Sequence, residues 1–312
     1  MQLTENDLVA HANVRKVTGN RSVETNDQLA IEEPLEIQLR LGGAGSQSQT
    51  SISVTMRTPG NDEELAIGFL FTENIIQTIN QVADVKTASN GENTVLVTLR
   101  ENEKPRLQKT ERNFYMTSSC GVCGKSSIDA IKTTSVYQHT SADIQLEAEV
   151  FYSLQDSLKK QQTAFESTGG LHASALFDLH GNFIMLREDV GRHNALDKVV
   201  GAALLANKLP LNNSILLLSG RSSFELIQKA SMAGIKIVAA IGAPSSLAVQ
   251  LAKEFDITLI GFLRERRFNI YAGGGRFKVE SLKLKVESSK FKVQSSKFKV
   301  ENLKFKKVES KR

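Results

Sequence analysis

Between residues 183 and 262 the chain alternates short apolar runs with helix-patterned stretches, and this rhythm restricts the fold more than any other feature. F-I-M-L (183–186), S-I-L-L-L-S (214–219), I-K-I-V-A-A-I (235–241) and I-T-L-I-G-F (257–262) read as strands. Arg192 to Asn207, Ser223 to Ala233 and Ser246 to Phe255 read as the helices between them. Strands that are apolar throughout are buried on both faces, so the alternation predicts an α/β unit on a mostly parallel sheet. Upstream, Lys125 to Lys132 predicts a short helix. Glu147 to Phe165 predicts a longer one, with Val150, Phe151, Leu154 and Leu158 on one face.

The first hundred residues follow a different rule. L-E-I-Q-L-R (35–40) and I-S-V-T-M (52–56) read as a hairpin across a Gly/Ser/Gln-rich connection, and T-V-L-V-T-L (94–99) as another strand. Asp62 to Gln77 predicts an amphipathic helix with an acidic first turn. The polar stretch 101–112 is the natural boundary. The expected organisation is a smaller β-rich unit over 1–112, an α/β unit over 113–275 and a tail over 276–312.

Charge separates the tail from the rest. Residues 276–312 hold 13 Lys/Arg against 4 Asp/Glu, whereas the body holds 26 against 30. The net charge of +5 therefore belongs to the tail, and the body carries no signal for nucleic acid. The tail repeats F-K-V-E-S-S-K-like heptads, but its apolar positions are two and five residues apart rather than the three and four of a coiled-coil seam. With its Lys density and Ser spacers it reads as a disordered cationic extension, with weak attraction to acidic surfaces as the functional alternative. The longest apolar runs are too short to cross a bilayer, and the polar M-Q-L-T-E-N-D start is no secretory signal. A cytoplasmic address without membrane attachment follows.

In an α/β sheet, ligands gather outside the carboxyl ends of the strands. Three connections there share a Gly-bearing turn: E-D-V-G-R-H-N, S-G-R-S-S and I-G-A-P-S-S. Free N–H groups at helix starts favour an anion, and Arg192 and Arg221 add fixed charge at two of these points. Arg264, Arg266 and Arg267 follow the last strand. Single Gly and Ser residues are ordinary turn formers. Their recurrence at equivalent positions is what points to a polyanionic, nucleotide-like guest.

The chain has two cysteines, Cys120 and Cys123, in S-S-C-G-V-C-G-K. C-x-x-C supports several chemistries. Zinc would need two further ligands, for which His172 and His193 on other segments are the candidates. A thioredoxin-like redox site would sit directly after a strand in a small βαβ fold, which the flanks do not resemble. Two buried structural cysteines would not be flanked by small residues such as Gly121 and Gly124. Sulfur relay is the third chemistry: a thiolate of lowered pKa, here near a helix start and Lys125, holds sulfur as a persulfide and passes it on.

S-S-C-G-V-C-G-K, T-G-G-L-H-A-S-A-L, E-D-V-G-R-H-N-A-L-D-K, S-G-R-S-S-F-E-L-I-Q-K-A, S-S-L-A-V and G-F-L-R-E-R-R-F-N-I-Y together closely resemble the FdhD family over roughly residues 10–272. These are sulfur-carrier accessory proteins of formate dehydrogenase. The resemblance implies a sulfurtransferase that takes sulfur from a cysteine desulfurase. The acceptor it implies is the molybdenum bis(molybdopterin guanine dinucleotide) cofactor, destined for formate dehydrogenase. It implies that Cys120 carries the persulfide with Cys123 as partner. Phe262, Leu263, Arg264, Glu265, Arg266 and Arg267 would then match the cofactor-contacting segment. It also implies a homodimer, and a cytidine-deaminase-like second domain. Against hydrolytic deamination, Ser174 stands where the proton-shuttling Glu belongs, and Ser119 replaces the Pro before the first Cys. His172 and His193 lie in segments expected near the ligand, and Asp189 either orients His193 or caps the following helix. No resident metal is expected. The rival reading is a non-catalytic cofactor chaperone with structural or zinc-binding cysteines.

Overall fold

The computed structural model describes residues 8–42, 48–88, 93–107, 137 and 144–278. Cys120, Cys123, the helix expected over 125–132 and the tail beyond residue 278 lie outside the described residues.

The chain opens with a ribbon that sequence patterning does not announce. Strands β1 (Val9–Thr18) and β2 (Arg21–Ala30) pair antiparallel in full register around Gly19, whose φ of 58° suits a two-residue turn. Most of its residues are exposed, so it shows no alternating apolar face.

A four-stranded sheet follows, from β3 (Glu33–Gly42), β4 (Gln49–Arg57), β5 (Val82–Thr87) and β6 (Thr94–Glu101), in the order β4-β3-β6-β5. The expected hairpin is β3–β4. Leu35, Ile37 and Leu39 alternate inward beside Val95, Val97 and Leu99.

Helix α1 (Asp62–Thr72) corrects two expectations: it ends earlier than Gln77, and it is not amphipathic. Its end is a Schellman motif. Asn74 adopts φ 60°, the Asn74 N–H donates to the Phe71 carbonyl and the Ile75 N–H to that of Leu70. Leu65, Ala66, Ile67, Leu70 and Phe71 are all buried because the helix is covered on both sides.

What covers it is α5 (Arg192–Leu205). The two helices meet backbone to backbone at Gly68 and Gly201. A Cβ on Gly201 would lie 1.8 Å from the Glu64 carbonyl oxygen, and one on Gly68 the same distance from that of Asp197. Charged groups tie the contact. Asp197 pairs with Lys229 at 2.9 Å and accepts from Thr72 Oγ1 at 2.7 Å, and Arg187 pairs with Glu64 at 2.6 Å.

The single helix expected over 147–165 is three short ones: α2 (Ala148–Tyr152), α3 (Leu154–Gln161) and α4 (Thr163–Thr168). Ser153 turns its hydroxyl to the Val150 carbonyl, and Gln162 leaves helical geometry with ψ 66°. Phe151, Leu154 and Leu158 still share one buried face.

The α/β unit is completed by β7 (His172–Asp178), β8 (Phe183–Asp189), β9 (Ser214–Leu218), α6 (Phe224–Met232), β10 (Ile237–Ala240), α7 (Ser246–Glu254), β11 (Thr258–Arg264) and β12 (Arg267–Ala272). The sheet order is β12-β11-β10-β9-β7-β8. It is mixed rather than mostly parallel. Only β9–β10 and β10–β11 pair parallel, because tight connections after β7 and β11 turn the chain straight back into antiparallel neighbours. The alternation did locate all three parallel strands.

Apolar runs without polar gaps fit a sheet covered on both faces. Leu216, Leu218, Val238 and Ala240 join a core shared with α1, α5, α6, α7 and the four-stranded sheet. Ile215, Leu217, Ile237 and Ala239 join a second core under Phe151, Leu154 and Phe277.

Candidate functional site

The carboxyl ends of β9, β10 and β11 are joined by a run of main-chain hydrogen bonds. The Ile241 N–H donates to the Leu218 carbonyl, Gly242 N–H to Gly220, and Phe262 N–H to Gly242, at 3.0 to 3.1 Å. Ser222 N–H donates to Ala243 O, and Ser245 N–H to Ser222 O. Close approach explains Gly242, whose Cβ would stand 2.9 Å from the Gly220 carbonyl oxygen.

Because β7 runs antiparallel to β9, its first residue, His172, lies at this same end. The Ser219 N–H donates to Ala173 O, and the Ala173 N–H to Ser219 Oγ. The last residue of β8, Asp189, is the register partner of His172. The β11–β12 turn closes the group, with Arg264 opposite Arg267.

His172, Arg192, His193, Arg221 and the 262–267 turn are thus brought to one end of one sheet. His172 is half-buried, and desolvation, reinforced by the nearby Arg192 charge and opposed by Asp189, holds its pKa below the ordinary histidine range. The imidazole is accordingly neutral at pH 7. His193 is buried in the first turn of α5, with Nε2 4.0 Å from Glu225 Oε2. Arg192 Nε is buried without a hydrogen-bond partner. Arg221 is exposed and makes no ion pair among the described residues.

The 262–267 segment divides. Phe262 is 44% exposed and adopts φ 53°, a left-handed conformation that costs a bulky residue of order 1–3 kcal/mol. Leu263 points the other way and is fully buried in the second core. Arg264, Glu265, Arg266 and Arg267 are exposed and, with Gln155 of α3, line an open groove of about 400 Å³. Arg264 Nη1 donates to the Ile241 carbonyl at 2.8 Å, which fixes the base of the turn. Gln155 carries no sequence signal, being one polar residue on the outer side of an amphipathic helix.

Asp189 does not orient His193. Its carboxylate pairs with Lys198 at 2.7 Å and accepts from the N–H of Gly191 and Thr58 and from Asn194 Nδ2, all of it buried. The knot holds the loop leading into α5 and ties it to the end of β4, so Asp189 positions Arg192 through the backbone. Thr58 and Lys198 were not readable as part of it.

Buried polar atoms without partners collect here: Ser174 Oγ, Arg192 Nε, Ser222 Oγ, Ser223 Oγ and, beside the Arg groove, Gln155 Oε1. Such atoms in a native fold call for a water or a ligand. The arrangement offers N–H groups, guanidinium donors, hydroxyls and an exposed aromatic ring, a set suited to a phosphate-bearing ligand with a planar ring. No group of three His, Cys, Asp or Glu placed to hold a metal ion occurs among the described residues, and no described helix is long and apolar enough to cross a membrane.

Comparison with known proteins places these features in context. A model of the FdhD/NarQ family matches residues 30–278. The sulfur carrier protein FdhD of Mycolicibacterium paratuberculosis is 46% identical over 284 residues, covering 88% of this chain and 99% of that one. The Streptomyces avermitilis protein of the same name is 47% identical over 263 residues, covering 82% and 90%. The archaeal one from Saccharolobus solfataricus is 39% identical over 261 residues, covering 84% and 95%. Among solved structures, a formate dehydrogenase accessory protein from Desulfotalea psychrophila superposes with a TM-score of 0.66. It covers 86% of this chain and 99% of its own at 23% identity, a likeness of fold.

Proposed function

The chain belongs to the FdhD/NarQ family, and from that premise we propose that it is a sulfur carrier acting by persulfide relay. A cysteine desulfurase presents sulfur as a persulfide. The Cys120 thiolate attacks the terminal sulfur, a new S–S bond forms, and the desulfurase cysteine leaves as its thiolate. The Cys123 thiolate then attacks the Cys120 sulfur, a Cys120–Cys123 disulfide forms, and the terminal sulfur leaves as sulfide for the molybdenum of bis(molybdopterin guanine dinucleotide), the substrate to be delivered to formate dehydrogenase; a thiol reductant restores the two cysteines. The protein works in the cytoplasm as a homodimer.

The donor half rests on the family and on C-G-V-C. One observation supports the acceptor half: five segments meet at one sheet end, where cations and unpartnered buried polar atoms gather. Arg264, Arg266 and Arg267 supply bidentate donors for pyrophosphate oxygens. Phe262 offers a face to a guanine or pterin ring, and Glu265 an acceptor for the N–H donors of a guanine edge. Leu263 contributes by anchoring the turn from inside the core. The cytidine-deaminase-like assignment of the α/β unit is part of this reading, supported by a mixed sheet flanked by helices. Ser174, buried on β7, leaves that position without a carboxylate for hydrolytic deamination.

The test is to incubate the full chain with a cysteine desulfurase and cysteine and to take peptide masses. One added sulfur on the 120–123 peptide, lost in Cys120→Ala, is the expected result. No adduct, together with full rescue of formate dehydrogenase activity by Cys120→Ala, would instead establish a cofactor chaperone without relay. Metal analysis of the purified chain decides the zinc-binding version.

A further inference from the structure

We infer that the amino end of α6, together with the neighbouring amino end of α5, forms a phosphate subsite built from Ser222, Ser223, Arg221 and Arg192. The inference rests on the acceptor half of the proposed function and assigns the place where a pyrophosphate group of the ligand is held.

Helix α6 is nine residues long, and its N-cap, Ser223, has the extended backbone of a capping residue (φ −93°, ψ 168°). Yet Ser223 makes no capping bond, and its hydroxyl is buried without a partner. The contrast with α7 is direct: there the N-cap Ser245 accepts from the Ala248 N–H at 3.2 Å. The first-turn amides of α6 therefore lack the acceptor that their own sequence could supply.

Ser222, one residue earlier, is a second and independent observation. It is only 1% exposed, and its hydroxyl also lacks a partner. Its backbone is held on both sides by the 243–245 loop, so the residue is fixed and only the hydroxyl is unused. A buried hydroxyl left unpaired forfeits its hydration without return, and a bound oxyanion would restore a partner.

The two helix ends lie side by side, as the 4.0 Å approach of His193 and Glu225 across their first turns shows. Neither has a side-chain cap, since the α5 N-cap is Gly191. Beside these two dipole ends and the Arg192 and Arg221 charges stand two carboxylates: Glu225, which lies against His193, and Asp189, which accepts from the Gly191 N–H and is paired with Lys198. A phosphate oxygen accepting from the α6 amides and from both hydroxyls would satisfy Ser222 and Ser223 at once.

The experiment is calorimetric titration of the full chain with inorganic pyrophosphate. Ser223→Asp places a carboxylate on the same amides, so it should keep or raise the melting temperature while weakening pyrophosphate at least ~10-fold. Ser222→Ala removes an orphan hydroxyl, should fold as well as the parent, and should weaken binding by about 10-fold, the worth of a hydrogen bond to a charged group. If Ser223→Asp fails to fold, Ser222→Ala decides. No binding by the parent chain, or parental affinity in the folded variants, overturns the subsite. Sulfur loading of Cys120 on the parent chain is measured separately. Loading without pyrophosphate binding sinks the subsite alone, and binding without loading sinks the relay alone.

Discussion

Replacing Gly201 by Ala should cost far more stability than one methyl group suggests. The added Cβ would stand 1.8 Å from the Glu64 carbonyl oxygen, 2.7 Å from its carbon and 2.9 Å from the Gly68 nitrogen. Ordinary contact needs about 3.5 Å, so α1 and α5 must part by about 1.5 Å. Neither partner atom is a side chain that can swing away. Overpacking of this kind costs about 1–3 kcal/mol, against about 1 kcal/mol gained from the better helix former. The separation also stretches the buried Thr72–Asp197 bond of 2.7 Å and the Arg187–Glu64 pair of 2.6 Å beyond hydrogen-bond range. At about 1.5–3 kcal/mol for each charged hydrogen bond, the net loss is roughly 3–8 kcal/mol. That is a large part of a typical total of about 5–15 kcal/mol. Urea unfolding and a thermal scan measure it, and a fall in Tm of about 10 °C or more is expected. Gly275→Ala, where the Cβ would meet nothing within 4 Å, is the neutral control. Gly68→Ala should be as damaging, and the double variant less than additive, since both open the same gap. A Gly201→Ala chain melting within about 1 °C of the parent would refute the helix crossing described here.

Three further outcomes follow from the same structure. Lys229→Met strands Asp197 in the core and should destabilise by about 3–5 kcal/mol in urea titration, with Asp197→Leu added to it restoring much of the loss. Because the folded pKa of His172 is depressed, the unfolded chain binds its proton first. Stability should then rise with pH through the window below about 6.5 and decline as acid protonates the ring, a slope that His172→Gln should reduce in urea midpoints taken across that window. Phe262→Gly relieves the left-handed strain, so its Tm should hold or rise while affinity for GDP, measured calorimetrically, falls several-fold. A Tm loss of several degrees would show that the ring is needed for folding.

Helices and parallel strands were legible because burial on two faces writes itself as unbroken apolar runs. Their ends were not, and the reason recurs. Asn74, Asn207, Gly234 and Asp256 each take a left-handed turn that closes a helix one to five residues before its apolar pattern fades. The β1–β2 ribbon and β12 were missed for the opposite reason: exposed strands need no apolar face, and a polar sequence without periodicity looks like loop. At the site, charge and glycine marked Arg192, Arg221 and the 262–267 turn. Pattern could not show that Leu263 points into the core while its neighbour faces solvent, nor that Asp189 is occupied by Lys198 and Thr58. The Thr58 contact joins segments 131 residues apart, and the core around Leu263 is assembled from elements spread over residues 144–277.

The bonds that join Leu218 to Ile241, Gly220 to Gly242 and Gly242 to Phe262 are all main-chain to main-chain. The loops that carry the candidate ligand contacts are therefore held in place by groups that no substitution, except to proline, removes. Side chains at Arg221, Ser222 and Phe262 are free to vary in chemistry without the scaffold loosening beneath them. A fold built this way can change the chemistry it presents at this sheet end while its architecture stays constant. Libraries confined to these side chains, with the glycines left intact, should yield altered preference at nearly parental stability.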